Sequence, residues 1–136
     1  MSDTKVSSNY LEEFLPLFAE NMKVIIVPGN GCSPVRSANW YKWLHDELTT
    51  SGIPVVLKDM PDPNIARESK WLPFIINKMA NGPDDLKHCV IVGHSSGSAA
   101  AMRLAEQHIL GYGCCACLHV CVFVNTAIIL LIEALC

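Results

Sequence analysis

Residues 90–97 read Val-Ile-Val-Gly-His-Ser-Ser-Gly, and no other stretch of the chain restricts its fold as tightly. A short β-branched run feeds Gly93-His94-Ser95-Ser96-Gly97, and from Ser98 onward the sequence is rich in strong helix formers. A strand that turns at once into a helix, with a serine at the tip, strains the backbone at that serine. Gly93 and Gly97 then stand where a Cβ would collide with the turn or with the neighbouring strand. The helix aims its positive end and its free N–H groups at Ser95. The G-x-S-x-G spacing in this context makes Ser95 the candidate nucleophile, with Gly93, His94 and Gly97 forming its elbow.

The rest of the body alternates. Residues 23–27 form a buried strand candidate, 39–50 an amphipathic helix, 54–57 a second strand, 64–79 a second helix and 89–92 a third strand. Alternating strands and helices predict an α/β fold, a Rossmann-like three-layer α/β/α arrangement around a parallel sheet of three or four strands. Right-handed crossovers bring the loops at the carboxyl ends of the strands together, so the turn Pro28-Gly29-Asn30-Gly31 lies beside Ser95. Backbone N–H groups from that turn and from Ser96 can together hold a developing oxyanion. Phosphate binding fits less well: Gly29-x-Gly31 lacks the third glycine of a dinucleotide fingerprint and the Gly-Lys-Ser/Thr of a P-loop.

Composition narrows the function. A net charge of −3 argues against nucleic acid as a partner. The polar residues 1–9 and the acids and proline within 11–18 do not read as a signal peptide, so a cytoplasmic address with reduced thiols is expected. The tail differs in kind: five of the seven cysteines fall in the last 23 residues, where 19 positions are apolar or Cys. Three segments follow: an amino-terminal extension over 1–22, the body over 23–113, and a divergent apolar, Cys-rich tail over 114–136. Asn125, Thr126 and Glu133 argue against a membrane span in that tail. Residues 118–124 have high β propensity and suit a strand beside the nucleophile strand, with 127–135 as a short helix. In a strand, alternate residues among Cys115, Cys117, His119 and Cys121 stand about 7 Å apart on one face, too far for adjacent ligands of one tetrahedral ion, so no metal is expected, and no other cofactor. Trp40, Tyr41, Trp43 and Leu44 are spaced to pack the first helix on the sheet. Asp59-Met60-Pro61-Asp62-Pro63 follows the second strand and belongs to the rim of the site.

Five segments together closely resemble one family. Val27-Pro28-Gly29-Asn30-Gly31, Asn39-Trp40-Tyr41-Lys42-Trp43-Leu44, Asp59-Met60-Pro61-Asp62-Pro63, 66–74 (Ala-Arg-Glu-Ser-Lys-Trp-Leu-Pro-Phe) and Gly93-His94-Ser95-Ser96-Gly97 are similar to the retinoblastoma-binding protein nine family. These are small α/β-hydrolase-fold serine hydrolases of the YdeN-like group. The resemblance runs from about Lys23 to His108. It implies Ser95 as nucleophile, Ser96 with the Asn30–Gly31 turn as oxyanion donors, and hydrolysis of small esters or amides.

The sequence departs from the family pattern twice. Family members carry a catalytic aspartate and then a histidine in a further stretch, whereas here Ser95 is followed only by Glu106, His108, His119 and Glu133. The expectation is therefore a truncated α/β-hydrolase or alternative isoform with impaired turnover. The competing expectation is a non-catalytic α/β binding module or an inactive isoform. The pocket-protein motif Leu-x-Cys-x-Glu, present in some family members, does not occur in this sequence, so binding to the retinoblastoma protein is not carried over.

Overall fold

The computed structural model describes residues 22–110 and two further strands, 119–124 and 127–132. Strand β1 (Lys23–Val27) leads through a 3-10 turn (Val35–Ser37) into helix α1 (Tyr41–Thr50), which returns to strand β2 (Val55–Leu57). Helix α2 (Glu68–Phe74) continues as a π-helical turn (Ile75–Met79), and a short helix α3 (Pro83–Leu86) precedes strand β3 (Cys89–His94). Helix α4 (Ser96–Leu110) leaves β3 directly, and strands β4 (His119–Val124) and β5 (Ala127–Ile132) follow.

The strands form one sheet in the order β2-β1-β3-β4-β5. β1 runs parallel to both β2 and β3, and β3 runs parallel to β4. The expected α/β fold around a parallel sheet is therefore present, with four parallel strands. β5 adds an antiparallel fifth strand, with Val122 opposite Leu130 and Val124 opposite Ala127. The short helix expected over 127–135 is thus corrected to a strand. Only two residues separate β4 from β5, a link suited to a hairpin, and Ala-Ile-Ile-Leu-Leu-Ile has the β-branched content that favours pairing. The expectations for the extension over 1–21, for His108 and for the Cys-rich and Glu133 positions of the tail concern side chains that lie outside the described residues.

Alternation along the central strands builds two cores. Ile25, Val27, Cys89 and Ile91 face α2 and α4, where Trp71, Leu72, Ile75, Met79, Ala101 and Leu104 complete the layer. Val24, Ile26, Val90 and Val92 face the other way, against Tyr41, Leu48, Ile53 and Val35. Both faces of β1 are buried after Lys23, which is why residues 24–27 are an unbroken apolar run.

Helix boundaries moved where side chains compete for the backbone. The helix expected from 64 begins at Glu68, because Asp62 holds the preceding turn open. Its backbone carbonyl accepts from the Ala66 amide at 2.9 Å, and its carboxylate accepts from the Arg67 amide at 3.3 Å and guanidinium at 3.1 Å. At the other end, Pro73 supplies no N–H to the helical ladder, and the chain relaxes into the π turn, closed by the Ala80 amide on the Ile75 carbonyl at 2.9 Å. The helix expected over 39–50 is cut to Tyr41–Thr50, since Asn39 sits in the left-handed region at φ 46°. Trp43, expected in the core, is 58% exposed, and the packing is done by Tyr41, Leu44 and Leu48.

Candidate active site

Register decides what stands beside Ser95. Val27, the last residue of β1, lies opposite Gly93 of β3, so the loop after β1 and the turn after β3 leave the sheet side by side. Ser95 occupies the tip between β3 and α4, exposed, with φ 55°, a left-handed conformation that costs a non-glycine residue roughly 1–2 kcal/mol. The strain is held from several sides. The Ser95 carbonyl accepts from the Ser98 amide at 2.9 Å, and the buried Ser98 hydroxyl donates to the Gly93 carbonyl at 2.8 Å.

The two elbow glycines are needed because backbone approaches too closely for a side chain. A Cβ on Gly93 would lie 2.5 Å from the Gly97 carbonyl oxygen, and one on Gly97 would lie 2.2 Å from that of Val27. Gly29 is a milder case: its Cβ would stand 3.2 Å from that of Ser95. β1, its loop and α4 are thus in backbone contact at the point where the serine is displayed.

Of the residues singled out from sequence, Asn30 and Ser96 meet. The Ser96 hydroxyl donates to the Asn30 side-chain oxygen at 2.8 Å, tying the β1 loop to the first turn of α4. As a first-turn residue of α4, Ser96 has an amide with no acceptor inside the helix. Gly31 has a different task. Its amide donates to the Pro63 carbonyl at 2.7 Å, so that N–H is spent on holding the loop, and Gly31 serves as a loop anchor instead of a donor. The rim segment fixes this loop elsewhere too: Asp59 accepts from the Val35 amide at 2.7 Å, and Trp71 donates its indole N–H to the Pro61 carbonyl at 2.8 Å.

His94 turns away from Ser96, into the α1 layer. Its ring packs on Trp40, with centroids 5.6 Å apart, and its Nδ1 lies 2.7 Å from the Tyr41 hydroxyl. That hydroxyl also accepts from the Gly29 amide at 2.9 Å and, more weakly, from the Asn39 amide nitrogen at 3.4 Å. The phenol also stands 3.5 Å from Cys32 Sγ, and its contact with His94 Nδ1 joins the two rings whichever tautomer the imidazole adopts. Burial is the largest cause pushing the Tyr41 phenol up to about 12, followed by its contact with Cys32, so the group stays protonated and able to donate. Sequence reasoning assigned Tyr41 to packing alone. It is fully buried, but its hydroxyl joins the β1 loop to the elbow, a role that no spacing pattern reveals.

Glu106 stands on α4, exposed and paired with Arg103 at 3.1 Å. Eleven residues along a helix place it about 16 Å from Ser95, out of reach of the serine hydroxyl. On the opposite side of the elbow from Tyr41, a cavity of about 340 Å³ opens between α2 and α4, with Ser96 in its wall. Among the described residues there is no cluster of three or more metal-ligating side chains, and no helix is long and apolar enough to cross a membrane.

A parallel sheet between helical layers, with a strained serine at a glycine-flanked strand-to-helix turn, is the architecture of an α/β-hydrolase-like domain. Over 95 residues the chain is 44% identical to Serine hydrolase RBBP9 of Rattus norvegicus, a match covering 66% of this chain and 47% of the relative. Over that stretch the chain is similar to the RBBP9-like serine hydrolases. It spans about half the length of this curated relative. No family model matches the chain.

Proposed function

We propose that this chain carries the nucleophile and oxyanion half of a serine hydrolase site directed at small esters or amides. Ser95 is the nucleophile, and the backbone amides of Ser96 and Asn30 receive the oxyanion. The observation that carries this reading is the strained, exposed Ser95 held between two glycines that backbone contact requires. In the reaction, the Ser95 oxygen would bond to the carbonyl carbon as its proton passes to a base. Negative charge would collect on the carbonyl oxygen beside the Ser96 amide. Collapse of that intermediate would expel the alcohol or amine, protonated on leaving, and leave an acyl-serine for water to cleave.

The base is the weak link. His94 gives its Nδ1 to Tyr41, and Glu106 is paired with Arg103 far along α4. Turnover by these residues is therefore slow, near the level that an oxyanion hole and binding alone support, about 10³–10⁴-fold over water in serine hydrolases stripped of a triad member. The same two observations favour the second reading, a non-catalytic α/β module. An active-site fluorophosphonate separates the two. Covalent labelling of the 136-residue chain that disappears in Ser95→Ala supports the hydrolase reading. No labelling in a cooperatively melting protein supports the non-catalytic module.

A further inference from the structure

The cavity beside the elbow is built from two matched helical stripes. Ser96, Ala99, Ala100 and Arg103 recur at i, i+3, i+4 and i+7 on α4, and Glu68, Trp71 and Leu72 recur at i, i+3 and i+4 on α2. Each set is one face of its helix, and the two faces line opposite walls of a groove. Small residues on the α4 side keep it open. From Ser96 to Arg103 it extends about 10 Å, beginning next to the proposed oxyanion donor.

Two features mark the rim of the groove. Ile65 lies at its rim with 63% of its surface exposed, adding apolar surface at the mouth of the cavity. Beside it, Ala66 contributes to the wall from a left-handed conformation, φ 56°, held by its amide bond to the Asp62 carbonyl. Strain of this kind persists where the surroundings impose it, and it concentrates at ligand sites. Arg103 is shared by two carboxylates, lying 3.9 Å from Glu68 and pairing with Glu106 at 3.1 Å. The groove thus offers apolar walls and no unpaired cation.

We infer that this groove binds the uncharged apolar substituent of the substrate whose carbonyl is presented to Ser95, and that it discriminates against substituents ending in a carboxylate. The inference deepens the hydrolase reading and rests on it for the position of the carbonyl. An apolar substituent can belong to the acyl side or to the leaving group, and the two differ in which neutral amide binds.

The test uses the 136-residue chain and follows the Trp71 indole and the Ala99 and Ala100 amides by ¹H–¹⁵N NMR. Hexanamide carries its apolar tail on the acyl side, N-hexylacetamide carries it on the leaving side, and the ω-carboxylate of hexanamide supplies the charged control. Saturable shifts are expected with one of the two neutral amides and binding about tenfold weaker with the charged one. Ala99→Trp fills the groove from an exposed position, and Ile65→Asp makes its rim polar. Each should weaken binding by about tenfold in a protein that still melts cooperatively. No saturable shift with either neutral amide, or unchanged binding in both variants, overturns the inference. Fluorophosphonate labelling of Ser95 keeps the two proposals apart. Labelling without groove binding removes the groove, and groove binding without labelling removes Ser95 as the reacting group while the ligand site stands.

Discussion

The two neighbours of Ser95 look into different halves of the molecule. On the His94 side the Gly29 amide and the His94 imidazole are engaged with the α1 layer through one buried phenol, and the rings of Trp40 and Tyr41 pack against His94. On the Ser96 side a single hydroxyl bond reaches Asn30, and beyond it the α2 and α4 faces stand apart around an open groove. The contrast teaches how a small domain can display a strained residue. One flank over-determines the backbone, and the other leaves room for a ligand. If that is right, substitutions on the closed flank should alter stability and geometry together, and those on the open flank should alter binding alone.

The hardest test of the closed flank is Gly97→Ala. A Cβ 2.2 Å from the Val27 carbonyl oxygen meets backbone, not a side chain that could rotate away. The expected destabilisation is about 3 kcal/mol, the upper range for overpacking, visible as a large loss of melting temperature. A melting temperature within experimental error of the parent would mean that β1 and α4 are not in contact at the elbow.

Tyr41→Phe comes next, at about 2 kcal/mol, because it strips the Gly29 amide and His94 Nδ1 of their common partner without changing volume much. It should also slow any fluorophosphonate labelling of Ser95 and change the His94 imidazole ¹⁵N shifts, since Nδ1 loses its partner. The variant has a pH signature as well. With the phenol at about 12 in the folded state against 10.0 as the ordinary value, the folded protein holds a proton that the unfolded chain releases. That stabilisation is fully present below pH 10 and is lost as pH rises through about 12. The fall should vanish in Tyr41→Phe. A separate loss from Cys89, whose buried thiol is pushed from 9.0 up to about 11, should remain in both proteins.

A smaller effect separates strain from chemistry at the tip. Ser95→Gly relieves the left-handed backbone whereas Ser95→Ala retains it, so the glycine variant should be the more stable of the two by about 1 kcal/mol, and neither should label. Equal unfolding midpoints in denaturant would remove strain from the description of the elbow. The smallest effect belongs to Trp43→Ala. An exposed ring on α1, outside both cores, should cost no more than about 0.5 kcal/mol. A loss of several times that size would restore the sequence-based expectation that Trp43 packs the helix on the sheet.

The sequence by itself determined the order of strands and helices and the place of Ser95, because both are local signals. Apolar runs in β1 and β3 specify strands buried on both faces, and Gly93 and Gly97 specify a turn too tight for side chains. It also put the β1 loop on the same edge as the elbow, since parallel strands gather their carboxyl-end loops there, and the direct pairing of β1 with β3 then sets the two side by side. What it could not decide depends on partners distant in the chain. The Gly31 amide looked available until Pro63, thirty-two residues on, was found to accept it at 2.7 Å. Tyr41 looked like packing until its hydroxyl was seen between Gly29 and His94. The sequence suggests a short helix over 127–135, and the free edge of β4 selects a strand over 127–132 instead. Hydrogen bonds of this kind are short, directional and satisfied across tens of residues, so only the folded chain reveals which donors remain for chemistry and which are already spent.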